Sequence, residues 1–291
     1  MASMNLILFR ENELACTLDH SDPHHSDLDR SNLDRSDPFQ PVICVSNLDR
    51  GDARAVHILK VLRRREGEEF DAGIINGPKG KGRVIKIEED RLMLEFDLKE
   101  KPSQLFPVTL IIGLARPQIA RRILREATAL GVRCMDFFAA DRGEKSYTRS
   151  RLWTNREYEA YLVEGAQQAF STLLPAVRLF GSLEECLSQH ANGMLFGQPD
   201  PHWELRRRPR PLEEQRIALD NYEATVPLGA ISPVQTAWLL AVGSERGWSS
   251  KERSLLRERG FTLAGLGDRV LGTETACVAG ISLILAKGGF I

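Results

Sequence analysis

Residues 236–276 read TAWLLAVGSERGWSSKERSLLRERGFTLAGLGDRVLGTETA, and the pattern of this stretch sets the fold class. The run TAWLLAVG, 236–243, is almost wholly apolar, as suits a strand covered on both faces. It ends in the loop GSERGW, 243–248, after which Ser249-x-x-Glu252 gives a capping-box signature and opens a helix that closes at Gly260. A second strand, FTLAGL at 261–266, runs into the loop GDRVLGTET, 267–275, and a last apolar helix carrying Ala276, Val278, Ala279, Ile281, Leu283 and Leu285. Strand and helix alternating in this way define an α/β domain with a mainly parallel sheet.

The same alternation extends upstream. PVTLIIGL, 107–114, reads as a doubly buried strand, and Pro117 starts a helix whose stripe is Ile119, Ile123, Ala127 and Leu130, ended by Gly131. Strand VRCMDFF, 132–138, a helix over 156–170, strand VRLF, 177–180, a helix opened by Ser182-x-x-Glu185, and strands GMLFG, 193–197, and IALD, 217–220, continue the series, with an Arg/Pro-rich loop at 199–211. Before the linker-like EKPSQ at 100–104 the pattern differs. Short β-like runs at 42–45, 70–75, 82–90 and 91–98 read as a small barrel or sandwich, broken by one helical stretch at 53–64. Two domains follow, 1–103 and 104–291.

The whole-chain balance of 39 Lys+Arg against 40 Asp+Glu, net -1, excludes a global positive field, so any basic surface is local. One candidate is 54–86, with nine Lys+Arg against four acids; solvated charge and phosphate binding read it equally well. Residues 19–38, DHSDPHHSDLDRSNLDRSDP, form a low-complexity insert expected to be a solvated loop, and its His20, His24 and His25 are a minor metal candidate. Five scattered cysteines without a C-x-x-C pair argue against a disulfide framework and a zinc site, so a reducing cytoplasm is expected. The short apolar start, cut off by Arg10, Glu11 and Glu13, lacks the core of a secretion signal, and no run reaches the ~18 apolar residues that span a bilayer.

Two glycine-bearing loops at the carboxyl ends of what read as adjacent strands point to a ligand site, since open α/β sheets bind ligands there. The competing reading is that the glycines only make turns. A dinucleotide fingerprint does not fit: Gly265-x-Gly267-x-x-x-x-Gly272 has the wrong spacing, and only one helix follows it. No G-x-x-x-x-G-K-[ST] loop occurs either.

The order HILKVLR at 57–63, ALGV at 129–132, LAVGSERGWS at 240–249 and LGDRVLGTETA at 266–276 resembles the SPOUT methyltransferases that modify a uridine of small-subunit ribosomal RNA at ring nitrogen 3, the RsmE family. The resemblance covers nearly the whole chain apart from 19–38 and the Arg/Pro loop. It implies an N-terminal PUA-like β-barrel for RNA and a C-terminal α/β domain tied in a deep trefoil knot, acting as a homodimer on ribosomal RNA or the small subunit. It also implies S-adenosylmethionine held by Gly243, Glu245, Gly247, Leu266, Gly267, Val270, Leu271, Thr273 and Thr275, with Gly197 lining a third loop. The chain departs from the family pattern at G243-S-E-R-G247 for G-P-E-G-G, at Gly272 for an arginine, and at Q167-Q-A-F-S171 for E-Q-x-G-R.

Methylating a uridine ring nitrogen needs loss of its proton, a cation for the developing anion and close approach of the two reactants. Arg269 is the candidate cation and Glu274 the candidate acceptor, with Arg246 and Arg142 as replacements for the absent arginines; the plain alternative is an ordinary pair capping a helix. His57, Lys60, Arg63 and Arg142 are the candidate RNA contacts, which position RNA without specifying a base. Two other functions fit parts of the sequence: an RNA-binding or assembly module without turnover, favoured by the missing arginines, and a small-molecule α/β enzyme.

Overall fold

In the computed structural model, which describes residues 6–14, 42–191, 214–233 and 237–291, the chain divides into two compact units. One contains Met1–Gln104 and Ala166–Leu173, the other Leu105–Gly165 and Leu174–Ile291. The insert at 19–38, Gly197 and the Arg/Pro loop lie outside the described residues.

The first unit is a five-stranded sheet in the order β1 (Ile7–Phe9), β3 (Glu69–Ile74), β4 (Lys79–Ile87), β5 (Arg91–Glu100) and β2 (Val42–Asp49). Its strands alternate as a half-buried sheet requires: Leu92, Leu94, Phe96 and Leu98 of β5 point inward, between exposed or half-buried neighbours. Phe9 on β1 and Phe96 on β5 have ring centroids 4.7 Å apart, although β3 and β4 separate their strands. Neighbouring strands lie about 4.8 Å apart, so a flat sheet would hold these rings far out of contact, and the sheet curls over its own core. β1 is the strand that the sequence does not announce. Only three residues long, it pairs in parallel with β3, Leu8 opposite Gly73, and its buried side chains complete the cluster.

The helix expected over 53–64 is shorter. Asp52 accepts from Arg54 N–H at 2.8 Å and caps α1 (Ala53–Val56), which widens into a π-turn over His57–Val61, where Leu62 N–H reaches back five residues to His57 O at 2.9 Å. Arg63, at φ 55, then turns the chain out of helix. Ala166–Leu173 joins this unit by hydrogen bonds with the β3–β4 turn: Asn76 N–H donates to Thr172 O at 2.8 Å and Thr172 Oγ1 to Gly77 O at 2.6 Å.

The second unit is a seven-stranded sheet in which every paired strand is parallel, in the order β10 (Val226–Pro227), β12 (Thr262–Gly265), β9 (Glu214–Leu219), β11 (Ala237–Val242), β6 (Phe106–Gly113), β7 (Val132–Phe138) and β8 (Ala176–Phe180). The mainly parallel α/β sheet read from the sequence is present. All six residues of β11 are buried, alternating Trp238, Leu240 and Val242 into one core with Leu239 and Ala241 into the other. α2 (Pro117–Ala129) and α7 (Thr273–Lys287) supply the first core, and α5 (Leu183–Ala191) and α6 (Ser250–Glu258) the second. α3 (Arg151–Thr154) and α4 (Tyr158–Gln168) precede β8.

One expectation is corrected. β11 and β12 are consecutive partners of α6 in sequence but not neighbours in the sheet, because the α6 crossover carries the chain past β9, which pairs with both. Strand patterns record burial, and sheet order is fixed by which helices pack where.

Candidate active site

Because the sheet is parallel, the carboxyl ends of β6, β9, β11 and β12 share one edge, and their loops meet there. The loop after β11 is tightest. Gly247 N–H donates to Ser244 O at 2.8 Å, and Gly247 takes φ 66, a left-handed turn suited to glycine. This turn lies directly on the end of β6: a Cβ on Gly113 would sit 2.5 Å from Ser244 N. Trp248 stacks on Phe138 at 5.9 Å and donates from Nε1 to Leu219 O at 2.8 Å, pinning the loop to β9. The Ser249 capping box forms, and Glu252 Oε1 also accepts Asp141 N–H at 3.0 Å, which ties the turn after β7 to α6. That turn leaves Arg142 exposed.

Glu245 is exposed, and its Oε1 accepts the N–H of Arg116, the N-cap residue of α2, at 3.0 Å. The carboxylate thus closes the loop after β11 onto a helix N-terminus, where negative charge is favoured. Arg246 is exposed.

The loop after β12 behaves differently. Leu266 and Leu271 are half-buried, while Gly267, Asp268, Arg269 and Val270 are exposed, Val270 to 76%. Gly267 takes φ 100 with nothing within 4 Å of where a Cβ would lie. Among the described residues no main-chain hydrogen bond involves Leu266–Leu271, so six consecutive residues present free donors and acceptors at the sheet edge. Gly272 caps α7, Thr273 is buried behind it, and Thr275 is exposed.

Arg269 and Glu274 do not pair with each other. Glu274 is half-buried and faces Arg122 of α2, Nη1 to Oε1 at 3.7 Å, whereas Arg269 has no ion pair among the described residues. Sequence reading missed Arg122, which sits in the second turn of α2 and carries no motif.

Gly197, expected to line a third loop, lies outside the described residues. The strand between β11 and β12 is β9, and its loop runs over 220–225. There Arg253 of α6 grips Asp220, Nε to Oδ2 at 2.5 Å and Nη2 to Oδ1 at 3.2 Å, both side chains buried. Burial alone would raise the Asp220 carboxyl, but hydrogen bonds from Arg253 and from Tyr222 N–H hold it below the ordinary carboxylate range. Ala224 packs on the end of β12, 3.4 Å from where a Gly265 Cβ would lie.

In the first unit four of the nine basic residues of 54–86 are neutralised by ion pairs. Arg54 pairs with Glu13 and Asp52 at 2.6 and 2.7 Å, Lys81 with Asp71 at 2.6 Å, Arg83 with Glu69 at 2.6 Å and Lys86 with Glu88 at 2.8 Å. Lys60, Arg63 and Arg65 remain exposed with no ion pair among the described residues, whereas His57 is half-buried with Nε2 enclosed and without a partner.

Among the described residues one cluster has metal-ligand chemistry: Asp136, Cys186 and His190, all buried, with ligand atoms within 4.8 Å. Its carboxylate is already saturated, by Arg178 Nε and Nη2 at 2.6 and 2.6 Å, His190 Nε2 at 2.8 Å and Cys134 Sγ at 3.2 Å. Burial would raise the Asp136 carboxyl, but the His190 and Arg178 hydrogen bonds hold it low. The cluster is a closed ionic staple between β7, β8 and α5.

The parallel sheet with open loop ends defines the class: residues 101–285 match the family model described as RNA methyltransferase domain. Among curated relatives, the ribosomal RNA small subunit methyltransferase E of Treponema pallidum is 35% identical over 237 residues, covering 81% of this chain and 84% of the relative. The corresponding methyltransferase E 1 of Borreliella burgdorferi is 27% identical, covering 81% and 91%. The chain belongs to the ribosomal RNA small subunit methyltransferase E family. Its fold is shared with the Neisseria gonorrhoeae member solved bound to S-adenosyl methionine, with TM-score 0.61 and 22% identity over 83% of this chain and 91% of that one.

Proposed function

We propose that this chain transfers a methyl group from S-adenosylmethionine to ring nitrogen 3 of a uridine in small-subunit ribosomal RNA. The main chain of Leu266–Leu271, which has no main-chain partner among the described residues, carries the reading, because backbone donors and acceptors left open at a parallel sheet edge are a cradle for a polar ligand. A donor held by main chain suits the residues present: Gly267 has no side chain to obstruct it, and Gly243, Glu245, Gly247, Leu266, Val270, Leu271, Thr273 and Thr275 surround the same edge. The bound donor supplies an electrophilic methyl group.

The chain's own residues handle the base. Arg269, exposed and without an ion pair among the described residues, meets the negative charge that builds on the uracil oxygens as N3 loses its proton. Glu274, in the first turn of α7 and facing Arg122 at 3.7 Å, orients the base and accepts that proton directly or through water. Lys60, Arg63 and Arg65 hold phosphates, Arg142 is a separate phosphate contact at the edge of the second sheet, and His57, half-buried at the start of the π-turn, serves packing. In this reading the curled first sheet is a PUA-like barrel, the 104–291 domain is knotted, and the protein works as a cytoplasmic homodimer. An exposed Leu283 on α7, with Val278 and Ala279 only half-buried, supports the dimer.

Calorimetric titration with S-adenosylmethionine, followed by transfer of labelled methyl to naked ribosomal RNA and to small subunits, tests the proposal. Saturable binding and a product mapped to uridine N3 are expected. A second reading, an RNA-binding or assembly module without turnover, is favoured by Gly272 at the position of a family arginine. Cofactor binding without transfer to any RNA would establish it.

A further inference from the structure

The loop that sequence reading overlooked, 220–225, carries a large aromatic side chain that is mostly exposed. Tyr222 is 77% exposed, while the backbone beneath it is fixed: its N–H donates to Asp220 Oδ1 at 2.9 Å, and Asp220 is gripped by buried Arg253. Glu223 pairs with Arg253 at 3.6 Å and with Arg257, and Thr225 N–H donates to Leu263 O at 2.9 Å, so the loop is clamped on both sides of the tyrosine. The Arg253 guanidinium lies 5.6 Å from the ring centroid, which gives the aromatic a cation on one side and leaves most of its surface to solvent. The loop abuts the end of β12 through Ala224 against Gly265, and Trp248 of the loop after β11 bonds to Leu219 O at the end of β9, immediately before it.

From this geometry we infer that Tyr222 is the stacking platform for the target nucleobase; the inference rests on the function proposed above. A base presented for chemistry must leave its stack, and an aromatic face recovers stacking in a way that every base can use. The open main chain of the 266–271 loop serves the donor, whereas the clamped aromatic between the loops offers what an extruded pyrimidine needs: a flat, pre-positioned surface with little ordering left to do.

The test pairs kinetics with a photochemical probe. Tyr222→Ala should lower kcat/KM for ribosomal RNA by about tenfold or more, with S-adenosylmethionine affinity unchanged. Tyr222→Phe and Tyr222→Trp should keep most of the activity, because the ring face and not the hydroxyl does the work. Full activity in Tyr222→Ala, an equal loss in Tyr222→Phe, or a matching loss of cofactor affinity overturns the assignment, the last by giving the ring to the cofactor. If the wild-type protein transfers no methyl to any RNA, the proposed function fails, and crosslinking of 5-iodouridine-substituted ribosomal RNA decides the platform separately. A crosslink at Tyr222 supports it, and crosslinks only elsewhere, or none, overturn it.

Discussion

Arg253 and Asp220 form a buried ion pair across 33 residues of sequence, Nε to Oδ2 at 2.5 Å, joining α6 to the end of β9. Two charges taken out of water gain little net stability as a pair, but removing one strands the other. Arg253→Met should therefore destabilise the fold by about 3–5 kcal/mol in urea unfolding. A loss below about 1 kcal/mol would mean that water reaches Asp220 and the clamp is loose.

The same pair gives a pH dependence. The Asp220 carboxyl is held below its unfolded value of about 3.9. Its contribution is therefore fully present above that pH and is lost as the pH falls through the lower folded value. The stability gap between wild type and Asp220→Asn should be constant from neutral pH down to about 4 and close below it. A gap that widens in acid would contradict the sign.

Arg269→Ala should abolish methyl transfer while leaving S-adenosylmethionine affinity intact, since the side chain is exposed and makes no ion pair among the described residues. Equal loss of both would move Arg269 into the cofactor pocket. Arg122→Ala removes only a loose 3.7 Å surface pair, so its stability cost should stay under about 1 kcal/mol, with any larger effect confined to turnover.

Free and paired cations should separate in RNA binding. Replacing Lys60, Arg63 and Arg65 together by alanine should weaken ribosomal RNA binding and reduce the slope of log K against log salt by about 0.7 for each phosphate left without its cation. Arg83→Ala, which breaks the 2.6 Å pair with Glu69, should leave that slope nearly unchanged. Equal slopes for the two variants would place the RNA on another surface.

Much of this architecture is legible in the sequence because burial writes a periodic signal. β11 and the capped helix after it can be read almost to the residue, since TAWLLAVG is apolar on both faces and Ser249 and Glu252 close a local box. β1 is illegible because three residues are too few to show a period. The place of β9 between β11 and β12 is hidden because adjacency is set by helix packing far along the chain. The basic excess of 54–86 is real as a count but only partly a free surface charge: Arg54 and Lys86 find acids outside the segment, at Glu13 and Glu88, while Lys60, Arg63 and Arg65 stay exposed without an ion pair among the described residues. The Arg122–Glu274 contact and the Tyr222 loop carry no motif and exist only once the loops are brought to one edge.

In the proposed function the bare main chain of residues 266–271 holds the methyl donor. Amide hydrogen exchange with and without S-adenosylmethionine tests it directly, because these amides have no main-chain partner among the described residues and should exchange fast in the free protein. The donor should slow exchange across 266–272, with a parallel but weaker effect at 243–247. Unchanged exchange there, with binding demonstrated and protection found elsewhere, would contradict it.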